Sequence, residues 1–193
     1  MATTKIQIIN LALAYLQQLP VNSFSEEQPP KITALAAMYD VIKIKCLQKT
    51  IWSFALKTQR LSRISDVSDY PNYMYMYQLP DDCLTVWQLY VGAYQTQTNY
   101  QLIGRRIYSN EPTLWLLYIF PQTENFFTAP FVDYIALQLA AQAGLLFTQD
   151  KALAENLLKM AELAFVDASG ADGINHPAYV IANYPLITAR LSG

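Results

Sequence analysis

Charge is scarce in this chain. Of its 193 residues, 15% are Asp, Glu, Lys or Arg, against about 25% in an ordinary globular protein. The signs nearly balance at a formal net charge of −2, so no global basic field points to nucleic acid. Histidine is almost missing: His176 stands alone between Asn175 and Pro177, with no second imidazole to share a metal and no nucleophile beside it. It reads as a loop residue. The two cysteines, Cys46 and Cys83, belong to no CxxC or Cys/His framework and read as small, buried, reduced residues. The six glycines build no GxGxxG or GxxxxGK[ST] phosphate loop. No cofactor or metal is therefore expected. Long hydrophobic runs are also lacking. Residues 6–19 are interrupted by Gln7, Asn10, Gln17 and Gln18, too short and polar for a membrane span and a poor signal sequence. No other run reads as spanning, so the expectation is a soluble protein made inside a cell, without a membrane partner.

What is abundant is apolar and aromatic: 53% hydrophobic residues, with 14 Tyr, 8 Phe and 3 Trp. That excludes global disorder. Protein interfaces favour Tyr, Trp, Phe and Met and deplete Lys, Glu and Asp. A single domain of this length has limited interior volume, so part of this surplus is expected at contacts between subunits.

Thr4 and Gln7 have capping-box spacing and open a first helix. Its apolar stripe runs Ile6, Ile9, Leu13, Leu16. A second helix starts near Pro30, with Ile32, Leu35, Tyr39, Ile42 and Cys46 on one seam. The two predict a hairpin over residues 4–56. Aromatics then alternate over residues 73–79, a strand pattern. Residues 84–90, 100–103, 106–108 and 113–120 are strand-like too, which predicts a β insertion over residues 70–120. Helical spacing returns at Thr128, with Phe131, Ile135 and Leu139 on one stripe and Ala136, Ala140, Ala143 and Gly144 small enough for close helix approach. Leu153, Leu157, Met160 and Ala164 make a fourth stripe, giving a helical pair over residues 128–168. The fold class expected is mainly α: one domain, a four-helix bundle with a small antiparallel β insertion. Residues 170–193 lose the periodicity but keep Ile174, Tyr179, Ile181, Tyr184, Leu186 and Ile187. A solvated tail is normally polar, so this segment reads as an extended docking arm. Trp52 and Phe54 are expected to pack where the first helices meet the later ones.

Candidate chemistry is thin. Asp81-Asp82 and Glu26-Glu27 could serve as a glycosidase carboxylate pair, but each adjoins a proline at an element boundary, where acids are common for turn and helix-entry reasons. Between residues 41 and 65 lie Lys43, Lys45, Lys49, Lys57, Arg60 and Arg63 without an acid. That stretch is a candidate contact for phosphate or an acidic partner, against the plainer reading of a solvated helix face. No residue set makes an enzyme.

Taken in order, several segments resemble the tail tubular protein A family, the head-to-tail connectors or adaptors of tailed bacteriophages. They are Ile9-Asn10-Leu11-Ala12-Leu13-Ala14, Ala36 with Tyr39-Asp40, Trp52-Ser53-Phe54-Ala55, Tyr77-Gln78-Leu79-Pro80-Asp81-Asp82-Cys83-Leu84, and Phe131 through Leu139-Ala140. The resemblance covers residues 6–168. It implies a structural virion protein, assembled as a homo-oligomeric ring of twelve and synthesised in the host cytoplasm. Such a ring would sit at the head-to-tail junction, below the portal protein and above the tail nozzle protein. DNA would cross its lumen without sequence-specific binding, and the C-terminal end would face the portal. Members of the family carry Leu-Gly where this chain has Leu16-Gln17, and Pro-Trp where it has Ile51-Trp52. The first helix is therefore expected to end differently and the turn before Trp52 to be less rigid. The alternative reading is a virion-associated glycan hydrolase using a carboxylate pair. A third is a DNA-contacting module using residues 43–63.

Overall fold

A computed structural model describes residues 3–23, 29–65, 68–91, 98–148 and 150–175. Helix α1 (Lys5–Tyr15) and helix α2 (Pro30–Gln48) come first. Seven strands follow among the described residues: β1 (Leu56–Arg60), β2 (Ser62–Ser65), β3 (Tyr75–Gln78), β4 (Thr85–Tyr90), β5 (Tyr100–Ile103), β6 (Arg106–Ser109) and β7 (Trp115–Ile119). Helices α3 (Ala129–Phe147) and α4 (Lys151–Asn175) close the described chain.

Helix α1 opens on a full capping box. The Thr4 amide donates to Gln7 Oε1 at 2.9 Å, and the Gln7 amide donates back to Thr4 Oγ1 at 3.4 Å. It stops at Gln17, whose φ of 57° is left-handed. The Gln18 amide then reaches Leu13 O at 2.8 Å and the Gln17 amide reaches Ala14 O at 3.0 Å, which satisfies carbonyls the helix end would orphan. Glycine would adopt that backbone freely, and Gln17 adopts it despite its Cβ. Asn10 then ties the following loop to α1: its Nδ2 donates to Val21 O at 2.9 Å, and its Oδ1 accepts from the Val21 amide at 2.8 Å.

Helix α3 is the hub. Helices α1, α2 and α4 all pack on it, while α1 and α2 touch each other little. Phe131, Tyr134, Ile135, Ala136, Leu137, Leu139, Ala140, Ala143 and Gly144 are buried in it. At Gly144 an added Cβ would lie 3.2 Å from Ala154 Cβ, so a side chain there would require α4 to give by a few tenths of an ångström. By length and composition α3 could cross a membrane, and half of its most apolar window is buried. The apolar-run reading overlooked it. With three helices around it, its hydropathy is that of a core helix.

The mainly α, four-helix-bundle expectation is corrected: the fold is mixed α/β, with two antiparallel sheets. One sheet has the order β1-β7-β4 and the other β2-β3-β6-β5. Leu61, Tyr77, Leu79, Cys83, Leu89, Ile107, Leu114, Leu116 and Tyr118 form an apolar cluster of their own, drawn from both sheets. Strands β1 and β2 lie before residue 70, inside the basic stretch. Both are edge strands, and edges are commonly blunted with Lys and Arg. No element was expected over residues 57–69, and the β insertion was expected from residue 70, so both strands were missed.

The second correction concerns the end of the described chain. Residues 170–175, assigned above to an extended arm, continue α4. Gly170 and Gly173 have open space where a Cβ would point, so each costs only its helix propensity, about 1 kcal/mol. Asp172 helps to offset that. It is 3% exposed, and its carboxylate accepts from the Ser53 amide at 2.7 Å and from Ser53 Oγ at 2.6 Å. Tyr179, Ile181, Tyr184, Leu186 and Ile187 lie outside the described residues, as do His176, Glu26 and Glu27.

Candidate interaction surfaces

Trp52 anchors the place where the first helices meet the later ones. It is fully buried, and its indole Nε1 donates to Cys46 O at 2.9 Å. Phe54, Phe131, Tyr134 and Phe165 surround it, with ring centroids 4.6–6.3 Å away. Phe54 is half-buried against Phe127 and Phe131. Nearby, burial pushes the Cys46 thiol up to about 11, against the opposing pull of a hydrogen bond with Tyr134. This is a protonated, unreactive thiol at neutral pH.

The basic stretch is divided among four places, one of them Lys57 beside Asp82. Lys43 pairs with Glu124 at 2.9 Å, and Tyr39 OH donates to the same oxygen at 3.0 Å. Burial pushes the Glu124 carboxyl up, but the Lys43 hydrogen bond and the other contacts outweigh it and hold the group below its ordinary range. Lys45 and Lys49 line a groove of about 390 Å³ with Tyr134, Gln138 and Gln142. There Lys49 Nζ lies 4.0 Å from the Phe165 ring centroid, a cation–π contact. Arg60 and Arg63 line a second groove, of about 460 Å³, on the sheet side. Arg63 donates to Pro112 O at 2.7 Å and stacks over Tyr75 at 4.5 Å. Several of these cations already have partners within the chain.

Asp81 and Asp82 border a groove of about 450 Å³ with Gln59, Ser62 and Gln78. Asp82 is occupied on both oxygens: Oδ2 pairs with Lys57 Nζ at 2.7 Å, and Oδ1 accepts from Tyr118 OH at 2.9 Å. The Lys57 hydrogen bond holds its carboxyl below the ordinary range. A glycosidase general acid needs the opposite shift. Among the described residues no three His, Cys, Asp or Glu side chains gather as a metal site.

No family model matches the chain. No curated protein matches it either.

The features that sequence reading missed are outward-facing. Val41 and Ile44 on α2 are 55% and 39% exposed. Leu163, Val166 and Ile174 on α4 are 68%, 62% and 84% exposed. Met160, assigned above to the buried stripe of α4, is exposed as well, and Leu157, Ala161 and Ala168 take the buried positions. The missed signal is a second apolar spacing: Ala37, Val41 and Ile44 advance by four and three on the side of α2 opposite the stripe Ile32–Cys46. A helix apolar on two sides has more than one partner to satisfy.

Proposed function

We propose that this chain is a structural virion protein, a head-to-tail adaptor that assembles as a ring of twelve below the portal and above the tail nozzle. DNA passes through the lumen without sequence-specific contact. The observation that carries the assembly reading is the pair of exposed apolar faces on α2 and α4, in a chain too poor in charge to favour leaving them in water. The ordered resemblance to the tail tubular protein A family supplies the place in the virion. Residues 176–193, with Tyr179, Ile181, Tyr184, Leu186 and Ile187, are the portal-docking arm in this reading, and Ile174 stands at its helical root. The non-enzymatic reading is favoured over the glycan hydrolase because Asp82 is neutralised by Lys57 and bound by Tyr118, which leaves Asp81 without a free acidic partner beside it.

Electron microscopy of the purified chain mixed with the portal of a tailed phage whose adaptor resembles it tests this. The expected result is a ring of added density on the tail-facing side of the portal. A portal that stays bare at saturating chain concentration would sink the adaptor reading. Glycan cleavage that Asp82→Asn abolishes would sink the non-enzymatic one.

A further inference from the structure

Lys43 and Lys57 of the basic stretch are in ion pairs, and Arg63 donates to Pro112 O and stacks over Tyr75. Lys45, Lys49 and Arg60 are in no ion pair among the described residues. Arg60 stands apart on the sheet side, whereas Lys45 and Lys49 share the groove of about 390 Å³ between α2 and α3. The two lysines are four residues apart on α2, and Gln138 and Gln142 are four apart on α3. Side chains so spaced stand one turn apart on the same side of a helix. The groove therefore has an ammonium pair on one wall and a carboxamide pair on the other. Lys49 is held in place: its Nζ lies 4.0 Å from the Phe165 ring centroid and 5.4 Å from that of Tyr134. Ring faces attract a cation without neutralising it. Lys45 has no hydrogen bond, ion pair or ring contact among the described residues, and the Gln138 and Gln142 side chains have no hydrogen bond there. Gln48 also lines the groove but already donates to Leu84 O at 3.0 Å and to Thr85 Oγ1 at 3.3 Å. No carboxylate lines it. Asp40 is paired with Lys5 and Glu124 with Lys43, and Glu162, three residues before Phe165 on α4, is in no ion pair with either lysine.

We propose that this groove binds a phosphorylated small molecule, with a phosphoryl group seated between Lys45 and Lys49 and the amides of Gln138 and Gln142 donating to its oxygens. Two ammonium groups match the nearly two negative charges of a phosphate monoester at neutral pH. A carboxylate is best met by the flat fork of an arginine, and no arginine lines the groove. Lysine serves phosphate as a point charge with three donors. Pockets of about 300–1,000 Å³ take small organic ligands, so the volume leaves room for a second phosphoryl group or an organic remainder. The site does not rest on the adaptor reading, and the two can fail separately.

The test is calorimetric titration of the full chain with inorganic pyrophosphate at neutral pH and constant ionic strength. The expected dissociation constant is about 1 mM or tighter. Lys45→Gln and Lys49→Gln should each weaken binding at least about tenfold, and Gln138→Leu, which leaves every charge in place, at least about threefold. Lys45 has no partner in the described chain to lose, so its variant should melt like the wild type, and its weaker binding then reports the site alone. Lys151→Gln removes another exposed, unpaired cation, at the start of α4 and outside the groove, and should change nothing. The proposal is overturned by absence of binding at about 10 mM pyrophosphate, or by a Lys45→Gln chain that binds as the wild type does. A Lys151→Gln chain that loses as much as Lys45→Gln overturns it too, since the attraction would then be one of general charge. Citrate binding as tightly as pyrophosphate would make the groove a carboxylate site instead. A short DNA duplex that displaces pyrophosphate at equal phosphate concentration would give the groove to nucleic acid, and the proposal would fall.

Discussion

The chain builds the same trio of groups twice, a carboxylate held by a lysine and a tyrosine, once in each half. In the helical half Glu124 meets Lys43 and Tyr39, with both charged side chains less than one-fifth exposed. In the sheet half Asp82 meets Lys57 and Tyr118, with the Asp82 side chain 34% and the Lys57 side chain 44% exposed. The chemistry is alike and the solvent is not. Water screens the open trio, so its pairing is worth little, whereas the covered trio has lost hydration that its partners must replace. The contrast extends beyond the trios. Helical stability rests on a dry aromatic cluster around Trp52, while much of the visible polar bonding of the sheets lies at their exposed rim.

If that contrast is right, the largest single loss is at the dry centre. Trp52→Ala should destabilise the chain by about 3–5 kcal/mol, read from denaturant midpoints. A loss below about 1 kcal/mol would mean that the aromatic cluster is not the anchor. Next comes the buried carboxylate of α4. Asp172→Ala strips two hydrogen bonds from Ser53 and should cost about 2–3 kcal/mol. A chain cut after Gly170 should show at least that loss, and one cut after Asn175, which keeps Asp172, should not. Equal melts for the two truncations would show that Asp172 holds nothing.

The trios themselves come next. Glu124→Gln should cost about 2 kcal/mol at neutral pH, and Asp82→Asn about 0.5 kcal/mol or less. The Glu124 carboxyl is held below its ordinary range, so its contribution is complete above that range and is lost as pH falls through the folded value. The gap between wild type and Glu124→Gln should therefore close in acid. Added salt should shrink the Asp82 effect more than the Glu124 effect, and equal salt sensitivity would break the comparison. The smallest effect is a gain. Gln17→Gly relieves a side chain held at φ 57° and should stabilise by up to about 1 kcal/mol in denaturant midpoints; an unchanged midpoint would show that the left-handed turn carries no strain.

Much of the helical half was legible because burial there follows a single period. Ile9, Leu13, Leu16, Ile32, Leu35, Tyr39, Ile42 and Cys46 are all buried, and alternation over residues 73–79 marks β3. Strands β1 and β2 were not legible, since edge strands read as polar when one side faces water. The end of α4 was misread because Gly170 and Gly173 look like breakers, and the side chain that helps to hold the helix there, Asp172, bonds to a residue far away in sequence. The same limit hid the site. Which acid meets Lys43 or Lys57 depends on tertiary placement, so a run of unpaired cations in the sequence becomes two ion pairs and a stacked arginine in space.

The hub position of α3 sets an order of events on the ribosome. Helices α1 and α2 emerge first, yet their main packing partner is encoded after both sheets. Their apolar seams therefore wait exposed while β1 to β7 are made, and the sheet cluster, whose members all precede α3, can close before the helical core has its centre. Long-range closure of this kind is slow and leaves sticky surface uncovered in the meantime. A nascent chain stalled before Ala129 would present two helices with little to pack against, and a chaperone that binds apolar helices would find its target there.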